Sequence, residues 1–280
     1  MRNKNNFIER SIMGALSFFK DSIYAEEYAS YKGFLQCLDV RIKVLIMLLF
    51  VVCVILSKNI FVIFFLYLLC LLLNIFSRIN ILFFLKRTWI FIPLFSLFIA
   101  LPAIFSVVTP GDEVFGFKLA VFHLSITRQG LLSAGIFLIR VVTSVSFVIL
   151  LTLTTRNTEL LRALRIFKVP QIFVMIIGMC YRYIYLFVEV IENTYLAIKS
   201  RVGLLMPHKK GRDIVAWNIG SLWQRSYYLN QAVYNAMLSR GYTGEPKTMH
   251  EFKTSYLDWV SLFGSLAVIF LALYLGNAKI

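Results

Sequence analysis

The feature of this sequence that most restricts its fold is a series of long apolar runs separated by clusters of basic residues. The runs cover residues 44–57, 60–76, 88–108, 129–153 and 256–275, and 59% of the 280 residues are hydrophobic. Soluble domains contain about 45–50% apolar residues, and a helix needs about 20 consecutive ones to cross a bilayer. The sequence therefore predicts an all-α, polytopic membrane protein with about five transmembrane helices.

The lengths of the runs predict how the chain is divided. An amphipathic N-terminal segment, 1–43, precedes four transmembrane helices within 44–153. A helical region outside the membrane, 154–255, follows, and a last transmembrane helix covers 256–276. The first run is short for a span, so either its flanking side chains snorkel or its helix begins near Arg41.

The third apolar run and the segment after it each have a distinct feature. The third run contains Pro93 and Pro102, which membrane helices tolerate as kinks when neighbouring helices satisfy the freed carbonyls. Residues 109–128 are predicted to be a polar loop.

The distribution of basic residues predicts the orientation in the membrane. Of the 29 lysines and arginines, 24 lie in 1–43, 77–87 and 154–255. Such residues concentrate in cytoplasmic segments, and five crossings from a cytoplasmic N-terminus place all three segments on that side. We therefore predict a multi-pass protein of the cell membrane and attribute the net charge of +15 to this bias rather than to nucleic-acid binding.

The N-terminal segment has two further properties. Its first residues lack the pattern of a cleavable signal peptide, so none is expected. It then carries apolar residues at helical spacing, which suits contact with membrane lipid or a partner; they are Ile8, Ile12, Ala15, Leu16, Phe19 and Ile23.

Residues 172–190 are apolar enough to be a sixth span on hydropathy alone. However, the segment contains Arg182 and Glu189, and basic residues flank it on both sides. A single crossing would put one of these flanks outside, so we predict an amphipathic helix at the cytoplasmic face.

Arg140 lies near the middle of the fourth apolar run, followed by Thr143, Ser144 and Ser146. An arginine at that depth costs several kcal/mol if it faces lipid. It must therefore face protein or water. Two alternatives remain, a structural bond to a neighbouring helix or a contact with another subunit.

The sequence offers no catalytic or ligand-binding pattern. It lacks a Gly-x-x-x-x-Gly-Lys-Ser/Thr loop for nucleotide phosphates and a His-Glu-x-x-His pair for zinc. Its three histidines, His123, His208 and His250, are far apart. We expect no enzyme activity, and no metal or cofactor bound by this chain.

The region 154–255 contains two helical segments with similar endings. One runs from Gln171 and ends in Ser200, Arg201 and Val202, and the other runs from about Asp213 and ends in Ser239, Arg240 and Gly241. Glycine after arginine suits a helix C-cap. Alternatively, an arginine at a helix tip can pair with an acidic groove on another protein.

A series of short motifs runs along the chain: Leu38–Leu45, Gly130 with Arg140, Thr154-Thr155, Leu160–Leu164, Val169-Pro170, Tyr181-Arg182-Tyr183 and the two Ser-Arg endings. These motifs resemble those of the transmembrane T component of energy-coupling factor (ECF) transporters, and within that group the cobalt-type subunit CbiQ. This chain departs from the family pattern in three ways: Val40 stands where the family has proline, serine replaces alanine in both arginine endings, and Val202 replaces glycine.

This resemblance implies a coupling subunit that seats Arg201 and Arg240 on two ABC ATPase subunits similar to CbiO. It would pass their ATP-driven motion to a CbiM-like substrate-binding membrane subunit, with a possible small CbiN-like subunit, and release cobalt ions inside. ATP would be used by the partners alone. A T component shared by vitamin transporters and a nickel-specific counterpart remain alternatives. A membrane hydrolase and a channel are the rivals from other classes.

Overall fold

In a computed structural model, the described residues are 14, 29, 31, 33–89, 92–104, 113–119, 122–164, 167–202, 208–244 and 254–277. The predicted apolar stripe between Ile8 and Ile23 lies outside them. The described residues form nine helices and one β-hairpin, so the predicted all-α membrane class is confirmed. In chain order the elements are α1 (Val40–Leu56), α2 (Ile60–Phe76), α3 (Ile81–Trp89), α4 (Ile92–Ile104), β1 (Glu113–Leu119), β2 (Phe122–Thr127), α5 (Arg128–Thr154), α6 (Asn157–Leu164), α7 (Gln171–Val202), α8 (His208–Ser239) and α9 (Tyr256–Asn277).

The chain divides into two compact units. One consists of Met1–Ala25 and Leu160–Glu251, and the other of Glu26–Glu159 and Phe252–Ile280. The first unit therefore holds α7 and α8, whereas the second holds α1 to α5 together with α9.

Helix α1 begins earlier than the apolar run that predicts it. The side chain of Asp39 accepts a hydrogen bond from the backbone N–H of Arg41 at 3.1 Å and caps the helix. The helix therefore starts at Val40 and includes Arg41 and Lys43 in its first turns. Of the two alternatives for the short first run, the helix therefore follows the earlier start.

Helix α2 occupies the predicted range, and its end meets the segment that precedes α1. The N–H of Phe34 donates to the carbonyl of Phe76 at 3.3 Å. The Gln36 side chain donates to the carbonyl of Ser77 at 3.1 Å. The start of α1 and the end of α2 therefore lie at the same face of this unit.

The predicted third span, 88–108, is described only in part: residues 88–89 lie at the end of α3 and 92–104 form α4, whereas 90, 91 and 105–108 lie outside the described residues. Most of the predicted 77–87 loop is helical in α3, and the apolar segment that follows is α4. Both helices pack on α5. Pro93 and Pro102 both lie within the range of α4.

The polar loop predicted between 109 and 128 contains a β-hairpin. Strands β1 and β2 are antiparallel, with Lys118 opposite His123 and Leu119 opposite Phe122. This hairpin leads directly into α5, because Thr127 ends β2 and its side chain caps the helix by accepting a bond from the Gly130 N–H at 3.2 Å.

Helix α5 is the central helix of its unit. It packs against α1, α2, α3 and α4. Its side chains Phe147, Leu150 and Leu153 are fully buried, and the ring of Phe147 stacks on that of Phe50 with 5.0 Å between centroids. The core of this unit therefore lies along α5.

Three helices are long and apolar enough to cross a membrane, judged by length and composition among the described residues. They are α5, α7 over Gln171–Ile198 and α9 over Tyr256–Gly276, and α2 is a shorter apolar helix. The predicted spans 129–153 and 256–275 correspond closely to α5 and α9. Helix α8 begins at His208, five residues before its predicted start.

Gly33 offers a test of the packing between the start of α1 and the end of α2. A Cβ at this position would lie 2.7 Å from the carbonyl oxygen of Ser77. We expect Gly33→Ala to lower stability by about 1–3 kcal/mol, as overpacking does, measured by thermal unfolding in detergent. Gly135→Ala is the matched control, because a Cβ there meets nothing within 4 Å. Equal stability of the two variants would contradict this close contact.

Candidate functional site

The first predicted arginine, Arg201, lies in the last turn of α7, a helix of 32 residues. Ser200 and Arg201 are exposed, and the hydroxyl of Ser200 donates to the carbonyl of Ala197 at 2.9 Å. The helix continues through Val202, whose side chain lies outside the described residues. The guanidinium of Arg201 is therefore presented from a helical backbone rather than from a loop.

The second predicted arginine, Arg240, immediately follows the last residue of α8. Gly241 has a φ of +77°, and its N–H donates to the carbonyl of Leu238 at 2.9 Å. The N–H of Tyr242 donates to the carbonyl of Met237 at 3.0 Å. This pair of bonds defines the Schellman motif, in which glycine adopts the left-handed conformation after the cap. The C-cap function predicted for this ending is thus present, and it leaves Arg240 and Ser239 exposed.

The end of α8 is also attached to the start of α7. The hydroxyl of Tyr242 lies 3.1 Å from the sulfur of Met175 and 2.9 Å from the carbonyl oxygen of Gly244, and its one proton is shared between these two acceptors. This contact restricts the position of the α8 end within its own unit. Arg240 therefore projects from a constrained tip.

Neither tip arginine has an acidic partner within the part of the chain that the structure describes. No ion pair or side-chain hydrogen bond of Arg201 or Arg240 is present there. Guanidinium groups are permanently charged and bind carboxylates through two parallel hydrogen bonds. The two guanidinium groups can therefore donate hydrogen bonds to acidic groups of another molecule.

Arg140 belongs to the other unit and is half-buried between helices. One terminal nitrogen donates to the carbonyl of Ser57, at the end of α1, at 2.8 Å. Its Nε is buried and makes no hydrogen bond to any described residue. The hydroxyls of Thr143 and Ser146 bond to carbonyls of their own helix. This geometry matches the first alternative, a bond to a neighbouring helix, and contact with a further subunit stays a prediction.

A buried polar cluster that the sequence reasoning did not single out lies at the other end of α1. Lys43 is only 2% exposed. Its Nζ donates to the carbonyl of Thr154 at 3.1 Å and to the hydroxyl of Thr155 at 3.3 Å. Helix α5 ends at Thr154, so the lysine holds the residues at which the chain leaves this helix.

Asp258 completes the cluster from the first turn of α9. This residue is 1% exposed. Its carboxylate accepts bonds from the N–H of Asp39 at 2.8 Å and from the N–H of Ser255 at 2.7 Å. A carboxylate in the first turn also interacts favourably with the helix dipole. The starts of α1 and α9 are thereby joined at the face where α5 ends.

The signals for this cluster were present in the sequence. Leu38–Leu45 and Thr154-Thr155 are both motifs of the sequence. Spacing alone, however, gives no reason to pair Lys43 with Thr154, which lies 111 residues further along the chain. A lysine and an aspartate each near the start of an apolar helix were the available hint. Polar residues at such positions in membrane proteins mostly face other protein groups.

The described residues contain no group of three or more His, Cys, Asp or Glu side chains placed to hold a metal ion. The side chains of His123, His208 and His250 lie outside the described part of the chain. The cofactor and metal expectations therefore stay predictions.

Comparison with known proteins identifies a family for most of this chain. Residues 32–251 match the model of the family CbiQ, described as cobalt transport protein. An uncharacterized protein of Methanocaldococcus jannaschii is 34% identical over 264 residues, which cover 94% of this chain and 90% of that protein. Another uncharacterized protein of that organism is 30% identical over 57% of each chain. A protein of Methanocorpusculum labreanum named as a fused cobalt transport protein, CbiMQ, is 28% identical over 51% of this chain and 24% of its own length.

A substitution at Gly241 tests whether the Schellman motif fixes the backbone next to Arg240. Gly241→Ala places a side chain in the left-handed conformation, which costs about 1–2 kcal/mol. We expect faster amide hydrogen exchange at Tyr242, because its bond to Met237 weakens. Gly220→Ala, in the middle of α8 with nothing within 4 Å of the added Cβ, is the control and should slow exchange slightly. Unchanged exchange at Tyr242 in the first variant would rule out this cap.

Proposed function

The chain belongs to the CbiQ cobalt transport protein family, and we propose that it is the transmembrane coupling subunit of an ECF-type ABC importer for cobalt ions. In this role it transmits the motion of two ATPase subunits to a separate substrate-binding membrane subunit. The family is one of transport components rather than enzymes. The chain itself performs no catalysis under this proposal.

The observation that carries the proposal is the pair of exposed arginines at the ends of α7 and α8. Each lies at the end of a helix of 32 residues, which is roughly 48 Å long at 1.5 Å per residue. Neither guanidinium is paired within the described residues. A rod with a fixed cationic end can seat in an acidic groove and follow the movement of that groove. We propose that each tip occupies a groove on one ATPase subunit.

Chain topology supports placing both rods on one side of the membrane. Helix α5 ends, and helix α9 begins, at the face marked by Lys43 and Asp258. The intervening segment must therefore cross the membrane an even number of times. Helix α8 is not among the candidate spans, because it carries Lys209, Lys210, Arg212, Asp213 and Arg225.

An even number of membrane crossings restricts the placement of α7, whose length and composition would allow it to span a membrane. If α8 does not cross, α7 cannot cross alone. We propose that α7 lies along the same membrane face with its apolar residues against lipid or another subunit. The concentration of basic residues in 154–255 supports a cytoplasmic location for that face, and hence a cytoplasmic N-terminus.

The partner assignment draws on the relatives as well as on the tips. The Methanocorpusculum labreanum relative carries the name CbiMQ and is described as a fused cobalt transport protein. Fusion of two components in one polypeptide supports a CbiM-like substrate-binding subunit as the neighbour of this chain. A small CbiN-like subunit is a further expected component.

The mechanism proposed for the complex needs only positioning and charge. When ATP binding closes the ATPase dimer, its grooves approach each other and displace the two tips. The displacement is carried along α7 and α8 towards the membrane helices and tilts the substrate-binding subunit. Cobalt is the transported substrate and is held by that other subunit.

Charge reversal at the tips tests the proposed ATPase contact. Losing one partner of a buried, hydrogen-bonded charge pair costs about 2–5 kcal/mol. We therefore expect Arg201→Glu or Arg240→Glu to weaken binding of the ATPase subunits at least about thirtyfold. Affinity purification of the complex in mild detergent, with quantification of bound ATPase, measures this effect.

The control is Arg225→Glu, which makes the same charge change at an exposed side chain in the middle of α8. It should retain the ATPase subunits, and all variants should insert into the membrane normally. Normal ATPase binding by both tip variants would refute the coupling role. Equal loss in all three variants would point to general electrostatic attraction instead.

The substrate is tested by what is purified with the chain. We expect one dedicated substrate-binding subunit, with cobalt as the metal found by elemental analysis of the complex. Nickel in its place would identify the nickel-specific counterpart. Several different vitamin-binding subunits would identify a shared T component, and flux without ATP in liposomes would identify a channel.

A further inference from the structure

The chain connects its two compact units twice. One polar cluster holds the residues that lie just before the first connection and just after the second. The unit boundaries fall between 159 and 160 and between 251 and 252. Thr155 lies four residues before the first boundary, and Ser255 lies three residues after the second. Both residues belong to the unit that contains the membrane helices. We call the cluster formed by Asp39, Lys43, Thr155 and Asp258, with the carbonyl of Thr154, the root clamp.

Residues at the start of α1 contact the chain next to both of these connections. Asp39 and Lys43 are four residues apart and lie on the same side of the helix. Lys43 holds the outgoing chain through the carbonyl of Thr154 and the hydroxyl of Thr155. The N–H of Asp39 holds the returning chain through the carboxylate of Asp258. One helical turn thus fixes the beginning and the end of the segment that carries the two arginine tips.

Charge and burial make the root clamp costly to break. The carboxylates of Glu159, Asp258 and Asp39 lie close enough to interact electrostatically with the Lys43 ammonium. Separating a buried lysine from its partners leaves an uncompensated charge away from water, which is strongly destabilising. The clamp should therefore remain closed while the unit that carries the tips is displaced.

We infer that Lys43 is a positioning residue that transmits displacement of the region 160–251 into α1, α5 and α9. Without the clamp, the segment around α6 can swing without moving the membrane helices. With the clamp, rotation of the outgoing chain also turns the start of α1, and with it the start of α9. This inference rests on the proposed coupling function, and its first test does not depend on that function.

The first test uses the purified full-length chain in detergent, without partners. Amide hydrogen exchange in residues 155–164 should be at least about tenfold faster in Lys43→Met, because the contact that anchors this segment is lost. Thr155→Val should show a smaller change in the same residues, since one of the two acceptors remains. Lys43→Arg should restore part of the protection. Exchange in α2 should not change in any variant.

The second test uses the complete transporter in proteoliposomes and measures ATP hydrolysis and cobalt uptake in the same vesicles. We expect Lys43→Met to keep ATP hydrolysis within about twofold of the original protein and to lower uptake per ATP at least tenfold. Phe50→Leu is the matched control, because it weakens the same α1–α5 contact at the Phe50–Phe147 stack without touching the clamp. It should reduce stability but leave uptake per ATP unchanged.

The outcomes separate this inference from the proposed function. Unchanged exchange at 155–164 in Lys43→Met overturns the clamp, whatever the transporter does. Faster exchange with normal uptake per ATP overturns its role in transmission. If Phe50→Leu lowers uptake per ATP as much as Lys43→Met does, Lys43 only stabilises the α1–α5 contact and has no specific role in transmission. If the original chain binds no ATPase subunits, the proposed function fails, and the exchange measurement still decides whether the clamp exists.

Discussion

The antiparallel contact between α1 and α5 fixes the rest of the membrane unit. Three interactions hold it: the Lys43 ammonium on the Thr154 carbonyl at 3.1 Å, the Phe50 ring on the Phe147 ring at 5.0 Å, and the Arg140 guanidinium on the Ser57 carbonyl at 2.8 Å. Along both helices the interactions are seven residues apart, which corresponds to about 10 Å of rise. Because the spacing is the same on each helix, the three contacts define one register, and a slip by one residue would break all of them.

This register places polar groups where a membrane helix most needs partners. Both charged residues of the contact donate to a backbone carbonyl at a helix end, Thr154 for α5 and Ser57 just after α1. Helix ends leave carbonyls without partners inside the helix, and cations there also interact favourably with the dipole. The same two cations therefore satisfy the ends of two helices and select their antiparallel pairing. In the other unit, Arg201 and Arg240 have no such partner among the described residues, and this is the basis for proposing that they bind another protein.

Sequence reasoning predicted the elements whose signal is local. Apolar runs gave α2, α5 and α9 nearly to the residue, and the serine–arginine–glycine ending gave the cap of α8. The hairpin at 113–127 was missed because Pro110, Gly111 and Asp112 led to the interpretation of 109–128 as a polar loop, although apolar residues are frequent between 114 and 126.

The polar cluster around Lys43 could not be predicted because its members come from three distant parts of the chain. Asp39, Thr154 and Asp258 each have a sufficient local explanation as a cap, a helix end and a first-turn acid. Only the packing of α1 against α5 and α9 brings them together. The arginine tips, in contrast, could be proposed from sequence because each belongs to a single helix ending. The residues proposed for coupling are therefore easier to identify in the sequence at the exposed helix ends than in the buried cluster.

The sidedness of labelling decides whether both arginine tips lie on one side of the membrane. Ser200→Cys, Ser239→Cys and Lys58→Cys, each introduced into a cysteine-free background, can be treated with a membrane-impermeant maleimide in sealed vesicles of known orientation. We expect Ser200→Cys and Ser239→Cys to react from the cytoplasmic side only and Lys58→Cys to react from the opposite side. Reaction of the two serine positions from opposite sides would contradict this placement, because α7 would then cross the membrane and the two tips could not engage one pair of ATPases.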